Sequence, residues 1–89
     1  MNFTKSIENW LNNTQNKNII IKQFGFIESI FEITNFNYEI KYELLKIFNK
    51  KSENCITINL NQVYKTINTI EKIILYMDND TTLSIEEKR

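Results

Sequence analysis

The sequence predicts a mainly α fold, a small bundle of three to four helices, and three observations carry that expectation. Phe3, Ile7, Trp10 and Leu11 recur at i, i+4, i+7 and i+8, which draws one apolar stripe on a helix. Ile40, Leu44, Ile47 and Phe48 do the same within residues 38–50. Val63, Ile67, Ile70, Ile74 and Met77 repeat the pattern within residues 61–77. The alternative is a small α+β fold with a short two-stranded sheet, built from Ile19-Ile20-Ile21 and from residues 55–60.

In chain order, Thr4 is the expected N-cap of the first helix, its hydroxyl accepting from otherwise unpaired backbone N–H groups. Residues 12–18 contain no apolar side chain and read as a loop. Ile19-Ile20-Ile21 is β-branched and suits a short strand. The only glycine, Gly25, follows, and Ile27, Ile30 and Ile33 then recur every three residues as a helical turn or two. Asn37 caps the helix over 38–50. Glu39 and Glu43 sit toward its start and Lys50-Lys51 at its end, in the sense that the helix dipole favours. Residues 50–54 are a polar connection. From Cys55 to Leu60 the side chains alternate, with Ile56, Ile58 and Leu60 on one side, a strand pattern taken alone. Residues 61–77 read as one helix, or as two with Thr69 capping the second. This places a single helical domain at 1–80 and a polar, frayed tail at 81–89. Ile70 and Ile74 are expected in the core.

Eighty-nine residues, 42% hydrophobic and 25% charged, suit one globular domain with a core of its own. Isoleucine, asparagine and lysine dominate, alanine is absent and Arg89 is the one arginine, a bias typical of an AT-rich genome. Eleven basic residues balance eleven acidic ones. With no basic stripe, the electrostatic drive toward nucleic acid is missing. There is no histidine and one cysteine, Cys55, so a zinc site and an internal disulfide are both excluded. Cys55 is expected to act as a small, half-buried hydrophobe. The N-terminus lacks the apolar run of a signal peptide, and no segment approaches the roughly 20 apolar residues of a membrane span. The expected location is therefore cytoplasmic, which leaves the sequons at Asn2, Asn12 and Asn79 without consequence.

Candidate chemistry is sparse. Asp78-Asn79-Asp80-Thr81-Thr82 resembles the start of a calcium loop, but Leu83 and Arg89 stand where that loop needs glycine and glutamate. Without histidine there is no Ser-His or Cys-His pair, and one glycine cannot make a phosphate-cradling loop. The sequence thus predicts neither an enzyme nor a metal site. A winged-helix arrangement is also conceivable, with 60–66 and 69–77 as its helices and 81–89 as its wing. Glu71 and Lys72 on the recognition helix, with aspartates following, argue against it.

Two stretches resemble the acyl carrier proteins, small helical bundles that carry acyl groups on a phosphopantetheine arm. From Ser29-Ile30-Phe31-Glu32-Ile33 through Asn37-Tyr38-Glu39-Ile40 to Glu43-Leu44-Leu45, the chain is similar to the family's run from an aromatic-acidic loop into its second helix. Tyr64-Lys65-Thr66-Ile67-Asn68-Thr69-Ile70, with Ile74 and Met77, resembles its third helix, turn and last helix. Asn37-Tyr38 stands where the family has Asp-Ser. The resemblance therefore implies a degenerate carrier without its attachment serine and without a cofactor. An alternative frame on Gly25-Phe26-Ile27-Glu28-Ser29-Ile30 makes Ser29 the phosphopantetheine attachment site.

The functional expectation is accordingly a carrier-like domain that works by binding a protein partner. The alternative is a small inhibitor or immunity-type protein, of phage or mobile-element origin, that binds and blocks a larger enzyme. On a helix over 38–50, Tyr38, Tyr42 and Leu45 fall opposite the core stripe. These three are the expected partner-binding patch, since tyrosine offers a large apolar body with a polar tip. The sequence does not define an oligomeric state.

Overall fold

The computed structural model of the chain describes residues 3–25, 28–51 and 54–88. The expectations attached to Asn2, Phe26, Ile27, Ser52, Glu53 and Arg89 lie outside the described residues. Among the described residues there is one α-helix, α1 (Phe3–Thr14), followed by eight strands: β1 (Ile19–Phe24), β2 (Ser29–Ile33), β3 (Asn37–Lys41), β4 (Leu44–Phe48), β5 (Cys55–Asn59), β6 (Val63–Asn68), β7 (Lys72–Met77) and β8 (Thr82–Glu87). A 3₁₀ turn, Leu60–Gln62, joins β5 to β6. The fold is mainly β, which overturns the helical bundle and with it the resemblance to acyl carriers.

All strand pairing is antiparallel. One sheet has the order β2-β1-β8-β7-β6, the other β3-β4-β5. The alternative α+β expectation fits better, but its short two-stranded sheet is only a part of what is there: the two candidate strand segments form β1 and β5, which belong to different sheets and do not pair. In antiparallel pairs, residues directly opposite share a face, so the register fixes what each sheet turns inward. Ile21, Ile85 and Ile73 stand in one row of the five-stranded sheet, Leu83 and Leu75 in the next. Leu45 and Ile58 face each other in the smaller sheet, as do Ile47 and Ile56. These inner faces and Ile7, Trp10 and Leu11 of α1 make one buried cluster.

The helix is where the 3.6-residue stripe predicts it, extended by a turn into the expected loop, with Thr14 buried and its hydroxyl donating to the Trp10 carbonyl (2.9 Å). Thr4 lies inside the first turn rather than capping it, and its hydroxyl reaches the Glu43 carboxylate (3.3 Å). Trp10 is 5% exposed, and its indole N–H donates to the Thr69 carbonyl (3.0 Å), tying α1 to the β6–β7 turn. A buried indole needs such a partner.

The helix expected over 38–50 is instead a hairpin. Inner residues Tyr38 and Ile40 of β3 and Leu45 and Ile47 of β4 alternate, but the two-residue turn Tyr42-Glu43 falls between them. The expected helical stripe had joined inward Ile40 and Ile47 to Leu44, which is on the outer face and exposed. Residues 61–77 likewise resolve into the 3₁₀ turn, β6 and β7, with Thr69 in the turn where its N–H donates to the Lys72 carbonyl (2.8 Å). Ile70 is 87% exposed at that turn, and Ile74 is half-buried on the outer face, so neither belongs to the core cluster. The segment expected as a frayed tail contains β8, the central strand of the larger sheet, paired on both sides.

Among the described residues, the non-glycine residues with positive φ are Tyr42 and Glu43, together with Asn16, Asn35 and Asp80, whose types tolerate that conformation best. Gly25 ends β1 with φ +154°, and a Cβ there would lie 3.0 Å from the Asp80 carbonyl oxygen in the neighbouring β7–β8 turn. Gly25→Ala should therefore lower stability by about 1–3 kcal/mol. A thermal melt reads this, since each kcal/mol moves Tm by roughly 4–8 °C in a domain of this size. An unchanged melting temperature would contradict the close approach of the two turns.

Candidate binding groove

Closing two sheets around one core leaves four strand edges to be managed. On one side, α1 packs against β6, and the Tyr38 hydroxyl of β3 donates to the Asn12 side chain of α1. On the other side, β2 and β5 line the same groove and do not pair with each other. Among the described residues, β2 pairs only with β1 and β5 only with β4.

The groove has two compartments of about 280 and 380 Å³ that share Phe31 and Ile56. Both side chains belong to inner faces. Phe31 stands directly opposite Ile21 of β1, which is fully buried, yet Phe31 is 45% exposed. Ile56 stands opposite fully buried Ile47 and is half-buried. The two sheets thus turn core-type surface into the groove and do not cover it. Buried Ile33 lines the smaller compartment, and buried Ile58, Met77 and Leu83 line the larger. The rest of the larger compartment is uncharged and polar, including Gln23, Asn59, Gln62 and Asn79. At the smaller end Glu32 is held by Lys88 (2.8 Å). Apolar walls beneath a rim of amides suit the burial of another chain's apolar side chains, with hydrogen-bonding partners at the mouth.

The residues singled out from the sequence are not brought together. Leu45 is fully buried in β4. Tyr38 is half-buried in β3, and burial pushes its phenol pKa up, with the charge of Glu8 adding to the effect. Tyr42 is 86% exposed at the β3–β4 turn, with the Lys41 ammonium 5.5 Å from its ring centroid. The helix face that would have united the three does not exist. Ser29 opens β2 opposite Gln23, in a strand rather than at the head of a helix. Asp78 to Thr81 make the β7–β8 turn, closed by the Met77 N–H on the Thr81 carbonyl (2.9 Å). Cys55 is exposed rather than half-buried, on the outer face of β5 opposite Phe48, at the mouth of the smaller compartment. The groove residue Phe31 falls in the stretch that the spacing of Ile27, Ile30 and Ile33 reads as helical turns. Its signal was the alternation of Ser29, Phe31 and Ile33.

Tyr42 and Glu43 both adopt positive φ, 53° and 61°. A two-residue hairpin turn of this kind favours Asn-Gly, and a bulky side chain there is strained. The double variant Tyr42→Asn with Glu43→Gly should raise stability by about 0.5–2 kcal/mol. A chemical-denaturation midpoint that falls instead would show that Tyr42 contributes packing its exposure conceals.

Comparison with known protein families, curated proteins and solved structures finds no match to this chain.

Proposed function

We propose that the chain is a small protein-binding module, without catalytic chemistry of its own, that works through the β2–β5 groove. A module that inhibits or neutralises a larger enzyme is the role its size and surface suit. The observation that carries the reading is Phe31, an inner-face residue left 45% exposed over a groove walled by core-type side chains. Apolar surface of that kind is costly to leave in water and is typical of interaction sites.

The test begins with the chain as bait in cells that make it, followed by reconstitution with the purified partner. Phe31→Lys should weaken that partner's binding at least ten-fold, about 1.4 kcal/mol, with little change in Tm. A partner bound equally well by Phe31→Lys overturns the assignment. One observation favours a second reading, in which the contact is the β3–β4 turn: Tyr42 projects in a strained conformation beside Leu44, itself 45% exposed. In that case Tyr42→Ala, not Phe31→Lys, removes binding.

A further inference from the structure

We propose that the occupant of the groove is an extended segment of the partner, which adds as a β-strand to the free edge of β2 or β5. This rests on the binding reading above and specifies its chemistry. An edge strand presents every other N–H and C=O outward, unpaired by the sheet. Here two such edges line one groove. A helix cannot use them, because its backbone groups are already bonded to one another. An extended chain can, at the 4.7–4.9 Å spacing of a sheet ladder.

The side chains point the same way. An added strand continues the alternation of the strand it joins, so every second residue turns to the inner face. On that face stand Phe31 and Ile56, which wall two consecutive compartments floored by Ile33 in one and Ile58 in the other. The segment therefore carries apolar residues two apart. The intervening residues turn to the outer face, where Thr57 and Asn59 of β5 offer hydrogen bonds without charge and Glu32 of β2 is already paired with Lys88, so the segment's intervening residues are uncharged. Adding such a strand would cover inner-face side chains that the fold leaves half open and pair edge backbone groups that have no ladder partner among the described residues, which is how strand addition gains both affinity and specificity.

The probe is a fluorescein-labelled, end-capped heptapeptide of alternating threonine and valine, with two further series N-methylated at either the odd or the even backbone nitrogens. Methylation removes the N–H donor and leaves the side chain. The unmodified peptide is expected to bind. One methylated series should lose at least ten-fold in affinity, while the other retains it. Phe31→Lys and the milder Phe31→Thr, each with an unchanged melting temperature, should both abolish or strongly weaken binding. Amide hydrogen exchange should slow in β2 or β5 on binding. Three results overturn strand addition: no binding by the unmodified peptide, equal binding by both methylated series, or methylation-sensitive binding that survives both Phe31 variants and protects β3 or β6. If the peptide fails while the purified partner still needs Phe31, strand addition is wrong and the groove remains the binding site.

Discussion

Leu75→Asp is expected to unfold the protein, whereas Ile70→Asp should melt like the parent. Leu75 is fully buried in β7, facing Thr66 of β6 and Leu83 of β8 across the ladder. A carboxylate there has no cationic partner among the inner-face residues of its own row, and burying an unpaired charge costs several kcal/mol. That cost adds to the lost transfer free energy of the leucine side chain, about 1.5–3 kcal/mol. Domains of this kind have about 5–15 kcal/mol of stability in total, so the variant should show no cooperative transition by circular dichroism. Ile70 is 87% exposed in the β6–β7 turn and loses little contact when replaced. The pair separates the sheet arrangement from a helix over the same residues, in which Ile70 faces the core and Ile70→Asp is the damaging change. A parent-like melt for Leu75→Asp would remove β7 from the core.

What the sequence conveyed follows from how each element signals itself. The stripe Phe3, Ile7, Trp10, Leu11 is long enough to distinguish a period of 3.6 from a period of 2, and α1 is there. Ile19-Ile20-Ile21 and the alternation from Cys55 also carry a strand signal, one the sequence leaves open, and they lie in β1 and β5 of different sheets. The hairpins failed for a local reason. With Tyr42-Glu43 and Thr69-Ile70-Glu71 at the turns, no Gly, Pro or Asn announces a reversal. Each two-strand pattern then merges into a run whose apolar residues fall at helical spacing by accident of the turn length. The counter-signal was compositional. A chain rich in isoleucine, threonine and tyrosine and without alanine lacks the strongest helix former and holds the residues that suit a pleated, half-buried surface. The groove was illegible for a different reason. It exists because β2 and β5, separated in the chain by two other strands, end up as edges of different sheets. Only sheet order reveals that, and local periodicity does not encode it.

Surface ion pairs among the described residues contribute little to this architecture. Lys17–Glu87 (3.4 Å), Lys22–Glu86 (3.5 Å) and Lys88–Glu32 (2.8 Å) all tie strands or loops of the larger sheet together, and all are solvent-accessible. Exposed pairs of this kind are worth about 0–1 kcal/mol each. The junction between the sheets is held by other means: Leu60, 5% exposed, whose N–H donates to the Glu43 carbonyl (2.8 Å), and the Asp78 N–H on the Gln62 carbonyl (2.9 Å). Phe36 does the corresponding work at the opposite junction, between β2 and β3.

Phe36→Ala is accordingly expected to cost about 3–5 kcal/mol, the range for emptying a buried phenylalanine site. Phe36 is fully buried, among the largest side chains so enclosed, although it lies in a short connection between strands of different sheets. Its backbone is also held. The Phe36 N–H donates to the Lys17 carbonyl (3.0 Å), and the Phe36 carbonyl accepts from the Asn16 N–H (2.9 Å), fastening the β2–β3 connection to the segment between α1 and β1. An alanine keeps those backbone bonds, so the loss isolates the cavity and the missing contacts. With roughly 4–8 °C of Tm per kcal/mol in a domain this small, the fall should exceed about 12 °C. Phe36→Leu, which retains much of the volume, should cost markedly less. The ring's position bears on the groove too, because the connection it anchors leads directly from β2. In Phe36→Ala, hydrogen exchange should therefore accelerate first in β2 and in residues 16 and 17, ahead of β7 and β8. Uniform acceleration across both sheets would mean that Phe36 stabilises the core as a whole and does not specifically set where the β2 edge lies.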